Sequence, residues 1–258
     1  MTDHPGLARR LGWRTPHADW YVLAFIVHGP WLFVFALAVR ALARGTFGLD
    51  GVTASLAGAG ALALVPIHFG YPNYLSDFPG LALFTLGLLL LSRPGLTGFY
   101  LLWPIGLLNK ETFALLTVVF VLREHGRMPR ARLLLHVAGQ VVSAAALWLA
   151  LDWVFRDNPG APAEWHLARN LGHVPRARQL LHDAVYWGAW FAGLAFWREK
   201  RALVAEALAV AVVLVGTTLF LGFLGEYRDF YEAWPLLALL LTHTALRLAG
   251  TRPKPAPR

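Results

Sequence analysis

The sequence predicts an all-α fold, a polytopic bundle of about eight transmembrane segments, and three observations lead there. Hydrophobic residues make up 57% of the 258 positions and charged residues only 15%, whereas a soluble domain carries about 25% charged residues. Apolar runs of spanning length recur from residue 20 almost to the C-terminus and leave no stretch long enough for a soluble domain. The arginines cluster at the ends of those runs, where positive-inside topology and anionic headgroups hold them. That distribution explains the net charge of +8 without nucleic acid as a partner.

Taken in order, the segments are 20–42, 51–69, 78–92, 97–122, 133–155, 183–197, 203–224 and 230–248. A span needs about 20 mainly apolar residues, and a shorter one tilts or thins the bilayer; 78–92 and 183–197 are of this shorter kind. Arg9, Arg10 and Arg14 precede a first run too long for the core of a signal peptide and without a cleavage site, so the first helix is expected to stay in the mature protein. Tryptophans near segment ends, Trp20, Trp153, Trp187 and Trp197, suit an interfacial belt. There is no internal repeat or linker, so residues 1–250 read as one transmembrane domain, and the Pro-rich basic tail 251–258 reads as disordered. The chain has no cysteine, which excludes disulfides, iron–sulfur clusters and thiol catalysis.

The segment 97–122 poses the main structural question, because Asn109-Lys110-Glu111 interrupts it. As one continuous helix with the N-terminus inside, the arrangement places fourteen Lys and Arg inside and eight outside, with Lys110 in mid-membrane. As a hairpin broken at Asn109–Glu111, with the N-terminus outside, it again places fourteen inside, against nine. Counting charges does not choose between them. Burial does: a lysine at the bilayer centre costs about 2.5–3.5 kcal/mol, and Glu111 beside it adds to that. A break lifts both towards water. Its short halves then have to be re-entrant or sit where the bilayer is thinned, in contact with protein or a wet cavity.

With the break in place, four polar features fall on one membrane face: the 70–77 loop ending in Asp77, the turn Asn109-Lys110-Glu111-Thr112, the long loop 156–182, and 225–232 with Glu226, Arg228, Asp229 and Glu232. An ionisable residue at membrane depth is a functional hypothesis by default, and a loop as long as 156–182 is more often functional than idle. Each feature also has a plainer reading. Asp77 opens Asp77-Phe-Pro79-Gly, where it can cap the next helix with Pro79 in the first turn. Lys110 and Glu111 can neutralise each other. Arg228 and Glu232 stand four apart, the spacing of a helical ion pair worth a few tenths of a kcal/mol, and Glu226 and Asp229 stand three apart. On the functional reading, Asp77, Glu111 and Glu226 are the candidate acid–base groups. Asn109, Lys110, Arg228 and Glu232 line a substrate site in which the ammonium and the guanidinium take a phosphate. His166, His173 and His182 share a loop without the spacing of a zinc site, and His28 and His243 read as packed or interfacial. No metal is expected, and Gly-rich phosphate loops and nucleophile elbows are absent, so no cofactor is implied.

Two of these stretches resemble a known family. Asp77-Phe-Pro-Gly-Leu-Ala-Leu-Phe-Thr-Leu-Gly-Leu is similar to the Asp-x-Pro opening of a membrane helix in GT-C superfamily glycosyltransferases. Pro104-Ile-Gly-Leu-Leu-Asn-Lys-Glu-Thr-Phe-Ala-Leu looks like the turn that follows it there. Protein mannosyltransferases and lipid A aminoarabinose transferases are the named relatives, and with Glu226-Tyr-Arg-Asp-Phe-Tyr-Glu232 the pattern is nearest to small bacterial membrane proteins of that type. The resemblance covers roughly residues 20–125. It implies transfer of a sugar from a polyprenyl-phosphate donor at the extracytoplasmic face of a bacterial inner membrane, with Lys110 on the donor phosphate and Arg228 assisting. It also implies a first helix and an outer loop carrying the catalytic acid. Here nineteen residues precede the first segment, with Asp3 and Asp19 as their only acids. On this resemblance either the chain is N-terminally shortened, or another acid (Asp77, Glu111 or Glu226) does that work, or there is no transferase activity. A transporter or flippase of an anionic or lipid-linked substrate uses the same charged cavity and broken helix, and a non-catalytic subunit uses the charges for assembly alone.

Overall fold

A computed structural model describes residues 18–65, 76–157, 165–172, 177–223 and 226–253. The elements are α1 (Ala18–Phe47), α2 (Gly51–Leu64), α3 (Asp77–Leu91), α4 (Thr97–Asn109), a 3-10 turn (Glu111–Leu115), α5 (Leu116–Glu124) and α6 (Arg130–Val154). They continue with α7 (Leu167–Leu171), α8 (Ala177–Leu194), a short 3-10 turn (Trp197–Glu199), α9 (Arg201–Leu221), a longer 3-10 segment (Tyr227–Ala233) and α10 (Trp234–Leu248). Among the described residues there is no strand. Among the described residues three helices are long and apolar enough to cross a membrane, Ile26–Phe47 within α1, Arg130–Val154 and Arg201–Leu221, against the eight segments expected; Gly51–Leu64 and Asp77–Leu91 are apolar but shorter.

The segment 97–122 is two helices. α4 ends at Asn109, Lys110 takes an extended conformation, and a 3-10 turn leads into α5. The chain reverses there: Phe99 of α4 stacks on Phe120 of α5, and Trp103 packs against Phe113. Gly106 makes the reversal tight, because a Cβ at that position would collide with the Phe113 ring. One end of the bundle is therefore marked by Lys110. The other is marked by Arg123, whose guanidinium holds both oxygens of Glu206 (Nε to Oε1 3.0 Å, Nη2 to Oε2 2.8 Å) and the carbonyl of Leu88 (2.9 Å). A bidentate pair with a third hydrogen bond satisfies a buried guanidinium, and here it ties α3, α5 and α9 together.

Interhelical approach uses small residues. Ala54, Gly58 and Ala61 form the buried face of α2, and a Cβ at Gly58 would lie 2.5 Å from the carbonyl oxygen of Ala36 on α1. Small residues let backbones close up where lipid offers no hydrophobic drive between helices. α6 is held instead by polar contacts. Tyr100 Oη lies 2.7 Å from His136 Nδ1, Gln140 Nε2 donates to Tyr100 Oη (3.2 Å), and Trp103 Nε1 donates to Ser143 Oγ (2.9 Å). The rest of that helix is apolar and outward: only Leu133 and Gln140 are buried, while Leu134, Leu135, Val141, Val142, Trp148, Leu149 and Trp153 are exposed. Glutamine inside and leucine outside invert the soluble pattern and suit a lipid-facing surface.

Candidate functional site

Lys110 is placed by the break itself. As the one extended residue between α4 and the 3-10 turn, it leaves the helix just where α3 begins. Asn109 fixes the junction by donating from Nδ2 to the carbonyl of Ser76 (3.0 Å), one residue before Asp77. Gly80, one turn into α3, lets the two strands of backbone close up: its Cβ position is 3.2 Å from Asn109 Nδ2 and 3.4 Å from Lys110 Cδ.

The ammonium of Lys110 is 3.1 Å from Glu232 Oε1 and 3.9 Å from Asp77 Oδ1. The Thr112 hydroxyl donates a very short hydrogen bond to the same Glu232 oxygen, and Asp229 lies near enough to act on Lys110 electrostatically. Asp77 and Glu232 are buried, and Glu232 Oε2 has no hydrogen-bond partner among the described residues. An ion pair in such surroundings persists only when further hydrogen bonds share the charge, which Thr112 supplies on one side of Glu232.

The 3-10 geometry of Tyr227–Ala233 explains the grouping. With three residues per turn, positions i and i+3 eclipse, so Asp229 and Glu232 face the same way. Glu232 meets Lys110 and Thr112. Asp229 also accepts the Phe223 N–H (3.4 Å), drawing the end of α9 towards the cluster. Around the charges lies an aromatic wall: Phe78 stacks on Tyr231 (5.7 Å) and meets His28 edge-on (4.9 Å). His28 is buried, its Nδ1 lacks a hydrogen-bond partner among the described residues, and Asp77 acts on it electrostatically.

Of the sequence-predicted residues, Asp77, Asn109, Lys110 and Glu232 meet. Glu111 is exposed and joins no ion pair among the described residues, so the adjacent Lys110–Glu111 pairing gives way to pairing across the bundle. Glu226 is half-buried at the start of the 3-10 segment. The backbone of Arg228 lies in that segment, and its side chain lies outside the described residues, as do residues 70–75, Glu164, His173, Arg176 and Asp3. Asp77 is the first residue of α3, and the N-cap position falls to Ser76, whose side chain makes no capping bond. The described part of the long loop is drawn to the same end: the His166 N–H donates to the Phe220 carbonyl (2.8 Å), and Asn170 Nδ2 donates to the carbonyls of Thr218, Leu219 and Gly222.

Thr112 and His28 were not singled out as site residues by sequence reasoning. The signal for Thr112 was its place three residues after Asn109 in the break. Nothing local marked His28, whose position depends on α1 packing against the start of α3. Asp50, the other acid near the first helix, caps α2 through Val52 and Thr53, and the Thr53 hydroxyl holds its carboxyl below the usual range. Among the described residues no group of His, Asp and Glu is arranged to hold a metal ion. Compared with known proteins, the chain matches no family model, no curated protein and no solved structure.

Proposed function

We propose that this protein is a multi-pass membrane glycosyltransferase, resident in a bacterial inner membrane, that takes a sugar from a polyprenyl-phosphate donor at the extracytoplasmic face. The observation that carries the reading is the placement of Lys110 between two buried carboxylates, Asp77 and Glu232, at the point where the chain reverses. Sidedness follows from charge. On the broken arrangement with eight segments, the sequence count puts fourteen of the 23 Lys and Arg on the side of Arg123, which supports a cytoplasmic Arg123 end and an outward Lys110 end.

In the reaction, Asp77 takes the proton of the acceptor hydroxyl as its oxygen attacks the anomeric carbon. The bond from that carbon to the phosphate oxygen breaks, and the polyprenyl phosphate leaves with the electron pair. Lys110 meets the charge gathering on the leaving phosphate, which takes the place that Glu232 holds at rest. Glu111 and Glu226 stand outside this pair. The test is incubation of the purified protein with labelled polyprenyl-phosphate sugars. Release of polyprenyl phosphate, abolished in Asp77→Asn and Lys110→Ala, is expected; no turnover, with full cellular function in Lys110→Ala, overturns the proposal and leaves a non-catalytic subunit.

One observation favours a second reading. Glu232 Oε2 is buried and has no hydrogen-bond partner among the described residues, and three carboxylates, Asp77, Asp229 and Glu232, act on the Lys110 ammonium. Intramembrane carboxylates of this kind serve as proton relays in carriers, so the alternative is a transporter or flippase of a lipid-linked substrate. Proton-driven movement of the labelled lipid across proteoliposomes, without sugar transfer, would select it.

A further inference from the structure

At the other end of the bundle, α8 passes into α9 through the turn 195–200. Phe196 there has φ 56°, the one non-glycine residue with a left-handed backbone among the described residues. A bulky side chain in that region is strained, and the strain is held by contacts on both sides. Lys200 points inward, where Nζ donates to the Leu240 carbonyl (2.8 Å) and to Thr244 Oγ1 (2.9 Å), pinning the turn to α10. Glu199 reaches Arg247 (2.9 Å), and the Arg247 guanidinium sits 5.5 Å from the centre of the Phe196 ring.

The outward side is different. Trp197 is 50% exposed and Phe196 39%, and the guanidinium groups of Arg198 and Arg201 stand 5.6 and 5.7 Å from the Trp197 ring centre. Glu199 is engaged with Arg247, and neither Arg198 nor Arg201 has a carboxylate partner among the described residues. The turn thus presents an indole flanked by two unneutralised guanidinium groups, directly at the start of the 21-residue apolar helix Arg201–Leu221. For a helix long and apolar enough to cross a membrane, its first residues belong at the boundary between hydrocarbon and water, the depth at which an amphipathic indole settles.

We infer that the turn Phe196–Arg201 is a docking site for the headgroup phosphate of an anionic phospholipid. Arg198 and Arg201 match a phosphate as paired donors, and Trp197 packs beside the glycerol and upper acyl chain. The half-exposed indole selects a lipid over free phosphate, because it needs an apolar neighbour that a dissolved ion does not offer. The site stands apart from the Lys110 cluster and does not depend on sugar transfer.

The test uses the full chain, delipidated in mild detergent. Thermal unfolding and native mass spectrometry are followed while phosphatidylglycerol, phosphatidylcholine or inorganic phosphate is added. Phosphatidylglycerol is expected to raise the melting temperature and to stay bound, where the other two do neither. Arg198→Ala/Arg201→Ala is expected to weaken that binding about tenfold, and Trp197→Ala to weaken it severalfold. Arg127→Ala/Arg130→Ala removes the same charge from the same end and is expected to change little. Equal losses in the two double variants, an unchanged response in Arg198→Ala/Arg201→Ala, or the same stabilisation from inorganic phosphate would each overturn the inference.

Discussion

Lys110 Nζ lies 3.1 Å from Glu232 Oε1, joining the break after α4 to the 3-10 segment before α10. The Glu232 side chain is 2% exposed and that of Lys110 17%, so either charge left alone is poorly solvated. Removing one partner of a buried pair costs about 3–5 kcal/mol, while replacing both with apolar groups is often close to neutral. Lys110→Met and Glu232→Leu are each expected to lower stability in detergent by that amount, and the double variant to recover at least half of the loss. Additive losses in a double-mutant cycle would show that the two residues are not coupled.

On the proposed multi-pass reading, the reversal at Lys110 decides which positions share a face of the membrane. The natural chain has no cysteine, so single cysteines report without a background. Glu111→Cys, at an exposed position beside the break, is expected to react with a membrane-impermeant maleimide from the extracytoplasmic side. Arg198→Cys, exposed at the opposite end, is expected to react only after the membrane is opened. Labelling of both from the same side in intact cells would contradict the hairpin.

The break was legible in the sequence because a lysine and a glutamate in an apolar run carry a burial cost that a continuous helix does not relieve. The partner of Lys110 was not. Local spacing offered Glu111 next to it and Arg228 four residues before Glu232, and neither spacing reveals a contact between residues far apart in the chain that only packing brings together. The same limit hid the grip of Arg123 on Glu206 and Leu88, residues brought together only by the packing of α3, α5 and α9. Helix positions were readable from hydropathy to within several residues among the described residues, but their number as membrane spans was not, since only three of these helices are long and apolar enough to cross. The small-residue face of α2 was not, because Ala54, Gly58 and Ala61 are as apolar as the lipid-facing residues between them.

That face gives a paired prediction on neighbouring glycines. A Cβ at Gly58 would sit 2.5 Å from the Ala36 carbonyl oxygen, a backbone atom, whereas a Cβ at Gly60 meets nothing within 4 Å. Gly58→Ala therefore has to push α1 and α2 apart, at an overpacking cost of about 1–3 kcal/mol. Gly60→Ala meets no obstacle and gains the helix preference of alanine over glycine, about 0.5–1 kcal/mol. Opposite shifts in thermal unfolding are expected, and equal shifts would mean that the two helices do not pack through Gly58.

Lys200 sets the pH dependence at the other end. It is buried just before the apolar helix begins, and burial lowers its pKa from the ordinary 10.5 to about 8, against a smaller opposing pull from Glu199. Below pH 8 the lysine is protonated both folded and unfolded, so the folded state bears the full cost of a buried charge. Between about 8 and 10.5 the unfolded chain binds the proton and the folded chain does not, so stability rises with pH over that interval. Lys200→Met removes the titrating group. The melting temperature of the natural chain, measured relative to this variant, is expected to climb from pH 8 to 10.5 and to be flat below 8. A difference that stays constant across the range would mean that Lys200 keeps its proton in the folded state and that the bonds to Leu240 and Thr244 compensate its burial.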